Sequence, residues 1–312
     1  MRWSGTHTAT SIIITTMAGT ITMLDYDFMR TAFAAATIVA IVAGLVGYFL
    51  VLRGQTFAGH ALAHVGFTGA TGAVLIGFPP LAGLVLLTVA AGIGMGFLGE
   101  RLSNRDVAIG IVLSFSLGLG LLFLHFFTAF ATQATALLFG NVLAVEMSTV
   151  WVLLVLGVIC LGVLAVISRP LLFASLQPEL AAAKGVRGRL LSILFLAIVA
   201  LATAESAQIV GVLLVFALMV GPAAAAQRLT TNIGTGLALA AGLALAEAWL
   251  GLTLAFYTDW PTSFWIAALS AAVYFLSTLP WAQWSRRGAF MREASPPAHR
   301  EIVATDKSSS LQ

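Results

Sequence analysis

Nine stretches of this chain are apolar over about the length that carries a helix across a lipid bilayer: residues 31–52, 57–77, 81–99, 107–127, 150–167, 190–204, 209–226, 234–256 and 264–281. At 1.5 Å of rise per residue, about 20 residues span the ~30 Å hydrocarbon layer. Inside lipid every backbone N–H and C=O has to be satisfied within the protein, so segments of this kind fold as helices. Composition agrees: 60% of the 312 residues are hydrophobic and only 9% charged, where soluble domains carry roughly 25% charged residues. There is too little polar surface to cover a soluble core. The expected fold is all-α, a polytopic integral membrane protein of about nine transmembrane helices, within a range of roughly 8–10.

The basic residues give this bundle a direction. Arg53, Arg101, Arg105, Arg169, Lys184, Arg187, Arg189, Arg228, Arg286 and Arg287 fall in connections on one side, and Arg292, Arg300 and Lys307 join them in the tail. Of the 15 basic residues only Arg2 and Arg30 lie elsewhere. Positive charge is retained in the cytoplasm, so the N-terminus is expected outside and the C-terminus inside, with an odd number of spans. The net charge of +3 comes from these anchors and is no signal for nucleic acid. Cys160 is the single cysteine, which leaves no disulfide or multi-cysteine metal site within one chain.

The organisation is a single membrane-spanning domain over residues 27–285. Residues 1–26 are expected to form a flexible extension, with Met23 as able to start translation as Met1, and residues 286–312 a disordered tail. Most connections are short, which makes sequential helices antiparallel neighbours. Two are longer. Residues 128–147 lie outside and contain an apolar piece, 137–143, too short to cross. Residues 170–189 lie inside, and within them 178–184 reads as a short helix, with Pro178 suited to the first turn and Gly185 to the end. Such a helix serves either as a dock for a soluble partner or as a plain connector. Pro222 is expected to kink or end the seventh span.

Ionisable groups at membrane depth cost about 2.5–3.5 kcal/mol on insertion scales, so they usually serve a function. His60 and His64 lie four apart in an apolar run, and that spacing projects both imidazoles from one helix face. One helix can thereby offer two nitrogen ligands to one ion, and neutral imidazole suits Zn²⁺, Cu²⁺, Fe²⁺ and Ni²⁺. Two ligands leave a tetrahedral zinc site unfilled, which suits an ion held only in passing. The competing reading is two polar residues hydrogen-bonded to neighbouring helices. Glu205, at the expected outer link between the sixth and seventh spans, is either a helix-end residue or an acidic lure for cations. Glu247 lies mid-span and His125 near an outer helix end. No phosphate loop with Lys-Ser or Lys-Thr occurs, so the chain hydrolyses no ATP by that motif.

Four stretches together carry a family resemblance. Residues 53–77, RGQTFAGHALAHVGFTGATGAVLIG, resemble a second-helix signature in which a Gly-Asp-x-x-x-His pattern follows a basic turn. Residues 138–145, LFGNVLAV, resemble an external LFG segment. Residues 178–189, PELAAAKGVRGR, resemble a coupling helix, and residues 210–228, VGVLLVFALMVGPAAAAQR, a VGxLLxxALLxxPAATA run. These belong to the permease subunits of metal-uptake ABC transporters, the zinc, manganese and iron family, and the likeness runs from about residue 27 to 281.

The resemblance implies a type II ABC-importer-like permease with no cofactor of its own. Its expected partners are a second copy of itself, cytoplasmic ATPase subunits, an extracytoplasmic metal-binding protein and the lipid of a prokaryotic cell membrane. It implies metal ligation by His60 and His64, with Glu205 as a further candidate, and ATPase coupling through Glu179, Lys184, Gly185, Arg187 and Arg189. His64 matches the family's histidine, whereas His60 stands where the family usually has Asp. Nitrogen in place of oxygen leans towards Zn²⁺ over Mn²⁺. Rival readings are a permease for a metal chelate or vitamin, a proton-coupled secondary transporter, and an intramembrane metalloenzyme.

Overall fold

Each of the nine apolar stretches contains a helix among its described residues. The structure, a computed structural model, describes residues 25–98, 105–126, 142–212 and 214–279, together with Met23, Leu138 and Gly140. Expectations for residues 1–22, for the connection 128–137 and for the tail after 285 lie outside the described residues. Among the described residues there are ten α-helices and no strand: α1 (Asp27–Leu52), α2 (Thr56–Leu75), α3 (Pro80–Leu98), α4 (Arg105–His125), α5 (Met147–Leu176), α6 (Pro178–Ala183), α7 (Gly188–Val210), α8 (Val215–Leu229), α9 (Ile233–Thr258) and α10 (Thr262–Thr278). Six of them, α1, α3, α4, α5, α7 and α9, are long and apolar enough to cross a membrane on those grounds alone. The two histidines, with the glycines and threonines, lower the hydropathy of α2, while α8 and α10 are short.

The expected boundaries shift in three places. α5 does not stop at residue 167 but continues through Pro170 to Leu176. One lost backbone bond, to the carbonyl of Val166, does not end a 30-residue helix in apolar surroundings. α7 runs past residue 204 to Val210, because Ala-Glu-Ser-Ala-Gln is a good helical sequence and neighbouring helices bury it. α8 begins only at Val215, and Pro222 lies inside it instead of ending it.

What separates α7 from α8 is Gly211, with φ 89 and ψ 154, a conformation open essentially to glycine alone. The chain then turns, Leu214 N–H donating to the Gly211 carbonyl at 3.2 Å, before α8 starts.

Helix α1 is the spine. It packs against α5, α7, α8 and α9, while α7 packs against α3 and α2 lies between α3 and α4. Small residues allow close approach, as in other membrane bundles. A Cβ on Gly44 would stand 2.7 Å from Ala241 Cα of α9, and one on Gly92 of α3 would stand 2.6 Å from the Leu196 carbonyl oxygen of α7. A Cβ on Gly47 would collide with the Met219 carbonyl of α8. Met219 is the fifth residue of α8, so that helix begins beside the second half of α1 and starts partway through the bundle.

Candidate functional site

The histidine helix is placed by the turn before it. Leu52 is followed by Arg53 and by Gly54 at φ +62. Gly54 N–H donates to the Val51 carbonyl and Gln55 N–H to the Leu50 carbonyl, both at 3.0 Å, which is the paired closure of a Schellman end. The turn is pinned sideways. Arg53 Nη1 donates to Ser175 Oγ at 3.2 Å, and its guanidinium lies 5.5 Å from the centroid of the Phe195 ring. These contacts tie the start of α2 to α5 and α7.

Farther along, α2 is gripped by its neighbours. Gly69 and Gly83 bring the backbones of α2 and α3 together, and the Thr68 hydroxyl donates to the Ser116 carbonyl of α4. The middle of α2 is therefore fixed and buried. His60, near its start, stays half-buried, whereas His64 is 8% exposed.

The two imidazoles meet as their spacing requires. Their ring centroids are 4.9 Å apart with planes at 86°. Phe216 of α8 also meets His60, its ring centroid at 5.3 Å and its plane at 74°. The buried Nδ1 of His64 has no hydrogen-bond partner among the described residues. Buried polar atoms are nearly always paired, and an unpaired one calls for an explanation such as a bound ion. Two ring nitrogens from one helix face, one of them unpaired, can hold a divalent ion while water or another chain fills its remaining positions. Among the described residues no group of three or more His, Cys, Asp or Glu side chains gathers around one point, so the pair stands without a third protein ligand of those types.

Glu205 does not join them. The structure corrects the expectation of a residue in an outer link: Glu205 is inside α7 and fully buried, with both carboxylate oxygens unpartnered among the described residues. Its Oε1 sits at the notch formed by Gly157 of α5, next to Ile38 and Val42 of α1. Glu247 is 2% exposed in α9, with the Ser270 hydroxyl of α10 beside its carboxylate. His125 closes α4, exposed, with its ring 5.9 Å from that of Phe126.

The coupling segment forms a separate feature. α6 begins at Pro178, and after Lys184 the chain turns at Gly185, φ +79, with Val186 N–H donating to the Ala181 carbonyl at 3.0 Å. Ala181 is buried, while Glu179, Lys184, Arg187 and Arg189 are exposed. Lys184 lies 5.6 Å from the centroid of the Phe173 ring and Arg189 5.3 Å from that of Phe97.

A helical membrane bundle with two imidazoles on one helix face and exposed basic residues just after α6 fits a transport permease of the metal ABC class. The chain belongs to the ABC 3 transport family, whose profile matches residues 25–280. It is similar to the manganese transport system membrane protein MntC of Listeria innocua, 29% identical over 82% of this chain and 92% of that protein. It is also similar to the manganese import system permease protein ScaB of Streptococcus parasanguinis, 30% identical over 81% and 90%. Among solved structures, PsaBC from Streptococcus pneumoniae in complex with Fab superposes with a TM-score of 0.77 at 25% identity, covering 88% of this chain and 99% of that one.

Proposed function

We propose that this permease carries free divalent zinc, with His60 and His64 as the residues that hold the ion in transit. The observation that carries this reading is the facing pair of rings with an unpartnered nitrogen on His64. Both donors are nitrogen, which suits Zn²⁺ better than Mn²⁺, an ion that prefers six oxygens. Two copies pair in the membrane, and each contributes its imidazoles to the path. Cytoplasmic ATPase subunits dock on the segment around α6 and supply the hydrolysis that the chain's own sequence does not. An extracytoplasmic binding protein delivers the ion to the outer mouth. The one-sided distribution of basic residues sets the N-terminus outside and the C-terminus in the cytoplasm. ATP-driven switching between outward and inward openings moves the ion with no covalent chemistry on this chain.

Manganese is the second reading, favoured by the names of the relatives. Uptake of radioactive Zn²⁺ and Mn²⁺ by cells expressing the whole transporter decides between them. The native chain is compared with His60→Ala and His64→Ala at equal membrane levels. Zinc uptake that falls to background in both variants is the expected result. Unchanged uptake in both would remove the histidines from the path, and manganese uptake well above zinc would replace the substrate.

A further inference from the structure

Phe216 belongs to neither of the family stretches' fixed letters nor to any metal-binding residue type, yet it is the side chain stacked against the more exposed histidine. Three observations give it a role. Its ring centroid is 5.3 Å from that of His60, which is van der Waals contact and leaves no room for water between the rings. It is the second residue of α8, which the break at Gly211 starts partway through the bundle. Interrupted helices of this kind are found where backbone lines a substrate site. It also heads a half-exposed stripe down one face of α8, continued by Val220, Ala224 and Gln227. Along that stripe Phe216 is the bulkiest apolar group, and it stands level with the histidines.

The helix that carries the ring is anchored close by. The Ser270 hydroxyl of α10 donates to the carbonyl of Ala217, the next residue, at 2.8 Å. Two residues on, the Met219 side chain meets the Thr203 hydroxyl of α7, Sδ to oxygen 3.7 Å. These contacts tie the start of α8 to two other helices.

The geometry points to Phe216 as the specificity-determining wall of the metal path, a ring that excludes water from one side of His60 and so favours an ion content with few ligands. An aromatic edge offers no lone pair. An ion on His60 loses the coordination positions that the ring covers. Zn²⁺ accepts four ligands, whereas ions of the Mn²⁺ and Mg²⁺ type favour six oxygens. Phe216 therefore penalises the six-coordinate ion more than the four-coordinate one. This inference rests on the proposed zinc-carrying role of the histidine pair.

The test is the ratio of Zn²⁺ to Mn²⁺ uptake in cells carrying the whole transporter, for the native chain, Phe216→Ala and Phe216→Leu. Removing the wall is expected to lower the ratio about tenfold in Phe216→Ala, the scale of losing one shape contact in a selective pocket. Manganese uptake should rise and zinc uptake persist. Phe216→Leu, which keeps an apolar side chain of smaller width, should give an intermediate ratio, and it decides the matter if the alanine variant fails to reach the membrane. A ratio unchanged from native, with normal membrane levels, overturns the assignment of Phe216. Failure of the native transporter to carry either ion would instead overturn the functional reading beneath it.

Discussion

The carboxylate of Glu205 occupies a notch that Gly157 leaves in α5: a Cβ on Gly157 would stand 3.1 Å from Glu205 Oε1, 3.2 Å from Val42 Cγ2 and 3.3 Å from Ile38 Cγ2. Three helices meet there, and α1 and α7 both present atoms to α5 closer than an ordinary methyl contact. Glu205 thus lies fully buried at the junction of α1, α5 and α7. Gly157→Ala should lower the thermal midpoint of the detergent-solubilised protein by a few degrees, since overpacking costs about 1–3 kcal/mol. Glu205→Gln, equal in volume, should leave both the midpoint and metal uptake near native. A loss of uptake in Glu205→Gln at native stability would restore Glu205 to the metal path.

Residue 60 is the place to exchange one donor type for another. His60→Asp replaces a nitrogen donor by oxygen donors on the same helix face, four residues from His64. Oxygen favours Mn²⁺ relative to Zn²⁺. Manganese uptake should rise and the zinc-to-manganese ratio fall about tenfold, which corresponds to ~1.4 kcal/mol of preference. Competition between the two radioactive ions in the same cells measures it. An unchanged ratio would mean that residue 60 is not a ligand.

Gly221 and Ser270 share one small space between α8 and α10. A Cβ on Gly221 would fall on the Ser270 hydroxyl, which already donates to Ala217. Gly221→Ala should destabilise the fold by about 1–3 kcal/mol. Ser270→Ala should cost about 0.5–1.5 kcal/mol for the lost bond to Ala217. The double variant should be more stable than the sum of the two losses implies, because deleting the hydroxyl makes room for the new methyl. A double-mutant cycle on thermal midpoints reads that coupling, and simple additivity would mean that the helices separate to relieve the clash.

The parts of this protein that depend on local chemistry were legible in its sequence. Each of the nine apolar runs carries a helix, six of them long and apolar enough to cross a membrane. Pro178 and Gly185 bracketed α6, and the four-residue spacing of His60 and His64 put both rings on one face. Tertiary packing governs what was misplaced. Glu-Ser-Ala-Gln at 205–208 looks like a polar helix end, and burial against neighbouring helices, with the notch at Gly157, lets its helical propensity carry α7 on. The end of α5 was misjudged because a lone proline is a weaker stop in apolar surroundings than in water. Phe216 carries no signal at all in the sequence. An aromatic residue in an apolar span looks the same whether it faces lipid, core or a histidine, and its importance appears only when α8 is set against α2.

The exposed charges around α6 divide into two kinds. Lys184 and Arg189 lean on the rings of Phe173 and Phe97, so they help to attach this segment to the bundle. Glu179 and Arg187 are exposed, with no aromatic ring under them among the described residues. If the segment docks an ATPase subunit, these two are its outward-facing charges. Arg187→Glu should then reduce ATP-driven uptake about tenfold or more, since a reversed charge at an interface meets repulsion worth several kcal/mol. Metal binding to the purified permease should be unaffected. Arg189→Glu should instead lower the thermal midpoint as well, because it removes the contact with Phe97. Measuring uptake, ATPase copurification and melting on both variants separates the two roles. Equal losses of ATPase from the two, with equal melting points, would place both arginines at the dock.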